Sequence, residues 1–215
     1  MRIALIHALK HSIAPVEAAF AALWPEARLA NLLDDSLSAD LARDGAITPA
    51  MTARFDTLAR YAAGSGASGI LFTCSAFGPC IEACARALAP LPTLKPNEAM
   101  IEEAATVGRR LGLLATFPAT LASMPREFPA GIALVPRLAE GALAALGRGD
   151  VIEHDRRVVE AALSLKDCDA VLLAQFSMAH AANLVAEATG RPVLTTPTSA
   201  VRKLKRLLDP GAARE

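Results

Sequence analysis

The sequence carries no net charge, because 22 basic and 22 acidic residues cancel within its 215 positions. Such a balance leaves no electrostatic footprint for nucleic acid or for an anionic membrane surface. The one basic cluster, Arg202-Lys203-Leu204-Lys205-Arg206, fits the solvated face of a late helix. Long apolar runs are missing too. Only Ile3-Ala4-Leu5-Ile6 precedes His7, too short for the core of a secretion signal, and nothing reaches the length of a membrane span. The four cysteines (Cys74, Cys80, Cys84, Cys168) include no CxxC pair, and no histidine stands at finger-like spacing from them. Reduced thiols in a cytoplasmic protein are therefore expected, with no disulfide framework and no metal site. A glycine-rich phosphate loop is absent and lysines are few, which argues against a nucleotide and against pyridoxal phosphate. No cofactor is expected.

What is abundant is aliphatic. The chain is 53% hydrophobic but only 4% aromatic, with Ala and Leu leading. That is the composition of a helix-rich folded protein, long enough for one large domain or two small ones. Helices so rich in Ala and Leu also suit a homodimer or a higher homo-oligomer.

Short apolar runs alternate with helical periodicity along the whole chain. Strands are expected at Arg2–Ile6, Arg28–Leu33, Gly69–Thr73, Leu111–Ala115, Ile132–Val135, Ala170–Ala174 and Pro192–Leu194. Helices are expected at Val16–Leu23, Pro49–Ala63, Pro79–Leu88, Ala99–Arg109, Leu138–Leu146 and Val151–Leu165, then after Gln175 and after Pro197. Uninterrupted apolar strands joined by helices point to an α/β fold with parallel sheets flanked by helices.

The chain also resembles itself. Gly69-Ile70-Leu71-Phe72-Thr73-Cys74 aligns with Ala170-Val171-Leu172-Leu173-Ala174-Gln175, and Arg2–His7 aligns with Arg110–Ala115. Two similar halves follow, 1–95 completed by 196–215 and 96–195, related by pseudo-twofold symmetry with a ligand cleft between them.

Cys74 is the strongest chemical candidate. It ends a buried strand just before a Gly-Pro helix start, where α/β proteins bind ligands and where a helix amino terminus favours thiolate. The competing reading is a small buried hydrophobe, which suits Cys80 and Cys84 better. His7 and His11 make the end of the first strand polar; His7 can orient Cys74 or act with it as an acid–base partner. His154, in a charged helix, reads as a surface residue. His180 is a structural helix-start residue or a second acid. Asp34 and Asp35 suit a turn.

The two-half layout, Cys74, Pro96-Asn97-Glu98 at the hinge and Ala115-Thr116 after the second half's first strand resemble the aspartate/glutamate racemase superfamily. That superfamily includes hydantoin racemases, maleate isomerases and arylmalonate decarboxylases. The resemblance implies a cofactor-independent isomerase that moves a proton at a carbon alpha to a carboxylate or carbonyl of a small acid. One cysteine from each half would flank that carbon. Here Gln175, or Ser177 under a shifted alignment, stands where the second cysteine belongs, and neither an amide nor an unactivated hydroxyl can serve as base.

The resemblance also makes Thr116 and the Phe117 amide a carboxylate seat, with Ser75, Ala76 and Thr195 as further substrate contacts. Glu98 is a supporting acid or simply a favourable first-turn charge. Two alternatives stay open. One is a single-cysteine decarboxylase; the other is a carboxylate-binding protein without catalysis.

Overall fold

The computed structural model describes residues 1–209. The end of the expected first half, residues 210–215, lies outside the described residues. The chain divides into two compact units, Met1–Pro96 together with the chain from Ala200 onward, and Asn97–Ser199.

In unit 1, strands β1 (Arg2–His7), β2 (Arg28–Leu33), β3 (Gly69–Phe72) and β4 (Thr93–Leu94) form a parallel sheet in the order β2-β1-β3-β4. Helices α1 (Ile13–Leu23), α2 (Ser36–Asp44), α3 (Pro49–Gly64) and α4 (Gly78–Ala87) make the crossovers. Thr48 caps α3, its hydroxyl accepting the Met51 amide, and Pro49 takes the first helical position, where its missing N–H costs nothing. From α3, Phe55 stacks on Phe72 of β3 and tilts against Phe77, with centroids 5.5 and 4.8 Å away. That aromatic packing anchors the chain on both sides of Cys74.

Unit 2 repeats the plan. Strands β5 (Arg110–Ala115), β6 (Ala133–Leu138), β7 (Ala170–Leu173) and β8 (Val193–Thr195) are parallel in the order β6-β5-β7-β8. The helices are α5 (Glu98–Val107), α6 (Pro118–Ser123), α7 (Ala142–Gly147), α8 (Val151–Ala162) and α9 (Ala182–Thr189). Alternate strand residues serve two separate cores. Leu111, Leu113, Ala115, Ala170 and Leu172 pack with Met100, Ile101 and Ala104, while Leu114, Val171 and Leu173 pack with Val158, Ala162 and Leu165. Both faces being covered is why the strands read as unbroken apolar runs.

The repeat holds down to single hydrogen bonds. Thr73 N donates to Ile6 O at 3.0 Å, and Ala174 N donates to Leu114 O at 2.9 Å. Ser68 N to Arg2 O (2.8 Å) is matched by Asp169 N to Arg110 O (2.7 Å). The last helix, α10 (Thr196–Leu208), starts in unit 2 and continues into unit 1. Its Leu204 is fully buried, and its Lys205 Nζ donates to Leu23 O at 3.0 Å. Arg202 and Arg206 of the basic cluster are exposed.

Several sequence expectations need correction. The helix expected over Leu138–Leu146 does not begin until Ala142, because β6 continues to Leu138, paired with Ala115, and Gly141 turns the chain at φ +74°. The periodicity misleads because Leu138 and Ala139 are apolar for the sheet, not for a helix. The long helix over Val151–Leu165 is α-helical only to Ala162 and ends in a 3-10 turn, Leu163–Leu165. After Gln175 the chain forms a 3-10 segment, Phe176–Ala181, before α9 begins. His154, expected at the surface, is fully buried. It lies on the inward stripe of α8 with Val158 and Ala162, four and eight residues on. Helix α2 and the two-residue strand β4 have no counterpart among the sequence expectations.

Candidate active site

Past β3 the backbone stays extended through Cys74 (φ −119°, ψ 115°) and then tightens into a 3-10 turn, Ser75–Phe77, that leads into α4. Cys74 is partly exposed, whereas Cys80 and Cys84 behind it are buried, in keeping with their core role. The Ala76 amide and the Ser38 side chain hydrogen-bond the Cys74 sulfur. Burial nevertheless dominates and pushes the thiol up to about 11.

The expected lowering by a helix amino terminus is therefore overturned. Three residues of 3-10 helix intervene before α4, and the Ala76 amide offsets only part of the desolvation. Ser38 Oγ also donates to Ala8 O at 2.5 Å. With its proton directed there, the hydroxyl is set to accept from a neutral S–H. Cys74 rests as a thiol.

His7, the last residue of β1, is fully buried, and both ring nitrogens are engaged. Nε2 lies 3.0 Å from Asn31 Oδ1, and the Asn31 amide nitrogen donates to Glu17 Oε1 at 2.8 Å. Asn31 thus offers its oxygen to His7, so the imidazole carries its proton on Nε2. Nδ1 then accepts from Thr73 Oγ1 at 2.8 Å. Burial lowers the His7 pKa, with Asn31 and Glu17 opposing, and the ring is neutral near pH 7. Its partner is Thr73, the residue before Cys74, so His7 supports the strand end. His11 is partly buried at a 3-10 turn, Lys10–Ser12. Ser75 and Ala76 are buried beside the thiol. Asp34 binds Arg54 and closes β2 as a turn residue.

In unit 2 the position matching Cys74 holds Gln175. Its Oε1 accepts from Thr116 N at 2.5 Å and from Thr116 Oγ1 at 2.9 Å. Thr116 therefore does not cap α6; Phe117 takes that place and makes no side-chain cap bond. Thr116, which the resemblance assigns to a substrate carboxylate, thus gives both its amide and its hydroxyl to one carboxamide oxygen. Thr195 Oγ1 donates to Thr198 Oγ1 at 3.0 Å, and Glu98 is a partly buried first-turn acid of α5.

Besides His154, three buried polar side chains among the described residues of unit 2 have atoms without any hydrogen-bond partner: Asn97 (Oδ1 and Nδ2), Ser177 (Oγ) and Thr196 (Oγ1). Asn97 starts α5, Ser177 follows β7 and Thr196 follows β8. Each such group costs about 1–3 kcal/mol unless something else satisfies it, so these are places where a ligand gains most.

Residue reasoning missed Ser38, Asn31 and the Thr73 hydroxyl. Ser38 was findable, since Leu37 and Leu41 followed by Gly45 spell a short helix with its stop. A groove of about 300 Å³ opens among Leu138, Ala139, Glu140, Arg157, Glu160 and Ala161, and none of the candidate residues lines it.

The model of the family described as Asp/Glu/Hydantoin racemase matches residues 15–204. No curated protein matches the chain. Allantoin racemase from Klebsiella pneumoniae superposes with a TM-score of 0.69 at 21% identity, over 98% of this chain and 89% of that one. Aspartate racemase from Picrophilus torridus gives 0.74 at 12% identity, over 96% and 94%. Unliganded arylmalonate decarboxylase gives 0.65 at 18% identity, over 98% and 93%. At these identities the likeness concerns the fold.

Proposed function

The chain belongs to the Asp/Glu/hydantoin racemase family, and from that membership we propose that it catalyses cofactor-independent proton transfer at a carbon alpha to a carboxylate or carbonyl of a small acid. Cys74 carries the proton. The observation behind this reading is a partly exposed thiol at the carboxyl end of β3 with two hydrogen-bond partners for its sulfur.

With its thiol near 11, Cys74 at neutral pH is an acid and not a base. When the S–H bond breaks and its proton goes to the substrate carbon, the electron pair stays on sulfur. The Ala76 amide already points there, and Ser38 stabilises the thiolate by turning its hydroxyl away from Ala8 O. Removing a proton runs this sequence backwards and first requires the thiolate. His7 enters neither step; through Thr73 it holds the end of β3 in place. Within unit 2, a carboxylate bound at Thr116 must displace Gln175 from both of its donors.

A second reading is favoured by one observation, the carboxamide of Gln175 at the register position of Cys74. A single resting thiol suffices to reprotonate a carbanion left by loss of carbon dioxide, so a decarboxylase-type lyase needs no second thiol.

Incubation in D2O with a panel of small carboxylic acids tests both. Deuterium at the α-carbon with no carbon dioxide released supports proton transfer alone, and stoichiometric carbon dioxide supports the lyase. Cys74→Ser is expected to lower either signal by about 10²–10⁴-fold. Turnover unchanged in that variant would remove Cys74 from the chemistry. Carboxylate binding with no turnover in the wild type would leave a binding protein.

A further inference from the structure

Apart from Cys74 and Thr116, unit 2 holds a cluster of titratable side chains that the proposed chemistry does not use. His154 and Asp155 lie in the first turns of α8, and His180 belongs to the 3-10 segment after β7. Asp155 Oδ1 is 2.8 Å from His154 Nδ1 and 2.8 Å from His180 Nε2. The two rings stand 4.9 Å apart at 33°, and one ligand atom from each of the three residues falls within 4.8 Å of the others. We propose that His154, Asp155 and His180 form a binding site for a divalent first-row transition cation such as Zn²⁺.

Charge balance supports it. Asp155 has no arginine or lysine partner among the described residues, although its own helix is rich in arginine. Arg156 pairs with Glu153 and Glu160, and Arg157 pairs with Glu153 and donates to Glu140 O. The carboxylate is left with two imidazoles, and His154 Nε2 has no partner at all.

Two imidazoles and a carboxylate are a donor set suited to such cations and leave a further coordination position for water. Bonds of about 2.0–2.1 Å in a tetrahedral site place ligand atoms about 3.3 Å apart, so each 2.8 Å contact need open by only about half an ångström. The side chain of His180 is 33% exposed, which gives a cation its entry, whereas that of His154 is fully buried. A bound cation would fasten α8 to the segment that follows Gln175, holding the end of β7 without touching substrate. The site stands independently of the proposed reaction.

The test uses the full chain, stripped with EDTA and titrated with Zn²⁺ by calorimetry and with Co²⁺ by visible absorption. One equivalent should bind with micromolar or tighter affinity and raise Tm by at least about 3 °C. Co²⁺ should show the intense visible bands of low-coordinate nitrogen and oxygen ligation. His180→Ala, on the exposed side of the cluster, should keep the circular dichroism spectrum and weaken binding at least tenfold. Asp155→Asn should weaken it as well. No saturable binding, or equal binding in His180→Ala, would overturn the assignment, since the cation would then sit on other histidines or on the cysteines.

Discussion

At the carboxyl end of β3 the chain presents Cys74, and at the carboxyl end of β7, reached through the same ladder hydrogen bonds, it presents Gln175. The neighbouring strand differs in step. Ala8 follows β1 and offers its carbonyl to Ser38, while Thr116 follows β5 and gives both its amide and its hydroxyl to Gln175. Unit 1 therefore holds a desolvated sulfur with two modest partners, and unit 2 holds a neutral oxygen with two strong donors. The sheets are interchangeable in backbone, and the chemistry diverges at the first side chain beyond the ladder. Symmetry of fold carries no promise of symmetry of function.

The largest expected contrast is in thiol reactivity. Alkylation of Cys74 by iodoacetamide, followed by peptide mass spectrometry, should rise about tenfold per pH unit from pH 8 and level off near pH 11. In Gln175→Cys the new thiol sits beside the Thr116 donors, which favour thiolate, and should be modified at lower pH than Cys74. Equal midpoints would show that burial alone governs both ends.

Packing separates the units next. Ala4 and Gly112 occupy matching places on β1 and β5, but a Cβ on Gly112 would stand 2.9 Å from Leu165 Cδ1 and 3.1 Å from Leu165 Cβ. Gly112→Ala should destabilise the protein by about 1–3 kcal/mol in urea titrations. A neutral outcome would mean that Leu165 can move aside. Gln175→Ala, which deprives Thr116 of one acceptor serving two hydrogen bonds, should cost about 1–2 kcal/mol. The half-buried Cys74→Ala should cost less than about 1 kcal/mol. The reverse order would make Cys74 the structural residue of the pair.

The smallest effect is one the units share. His7 in unit 1 and His154 in unit 2 are buried and titrate below their ordinary value, so the folded state binds fewer protons than the unfolded chain as pH falls. Their contribution is complete above about pH 6.5 and is lost as pH falls through the depressed values. The urea midpoint should therefore drop between pH 7.5 and 5.5, and His7→Gln should flatten that drop. An unchanged drop would place the linkage in unit 2.

Much of this was legible in the residues. Runs such as Ile3–Ile6 and Ala170–Leu173 announced buried parallel strands because nothing polar interrupts them. The self-match of Gly69–Cys74 with Ala170–Gln175 is enough to place the thiol and the carboxamide on equivalent strand ends. The partners of those residues were not legible. Ser38 reaches Cys74 from a helix 36 positions earlier in the chain. Asn31 meets His7 only because β2 lies beside β1 in that register. The Cys74 thiol was misjudged for a physical reason: position relative to a helix is visible in sequence, and desolvation is not. His154 was misjudged because its charged neighbours Glu153, Asp155 and Arg156 obscured the inward stripe that it shares with Val158.

The course of α10 bears on how the protein comes to be made. Leu204 and Leu208 close against Gly69, and Ala200, Val201 and Leu204 are fully buried. Unit 1, although it begins first in the chain, lacks this piece until unit 2 has been synthesised. Unit 2 is contiguous, and all of its strands are made before α10 can complete unit 1. During that interval the start of β3, at Gly69, waits uncovered, and it is the stage at which aggregation would do most harm.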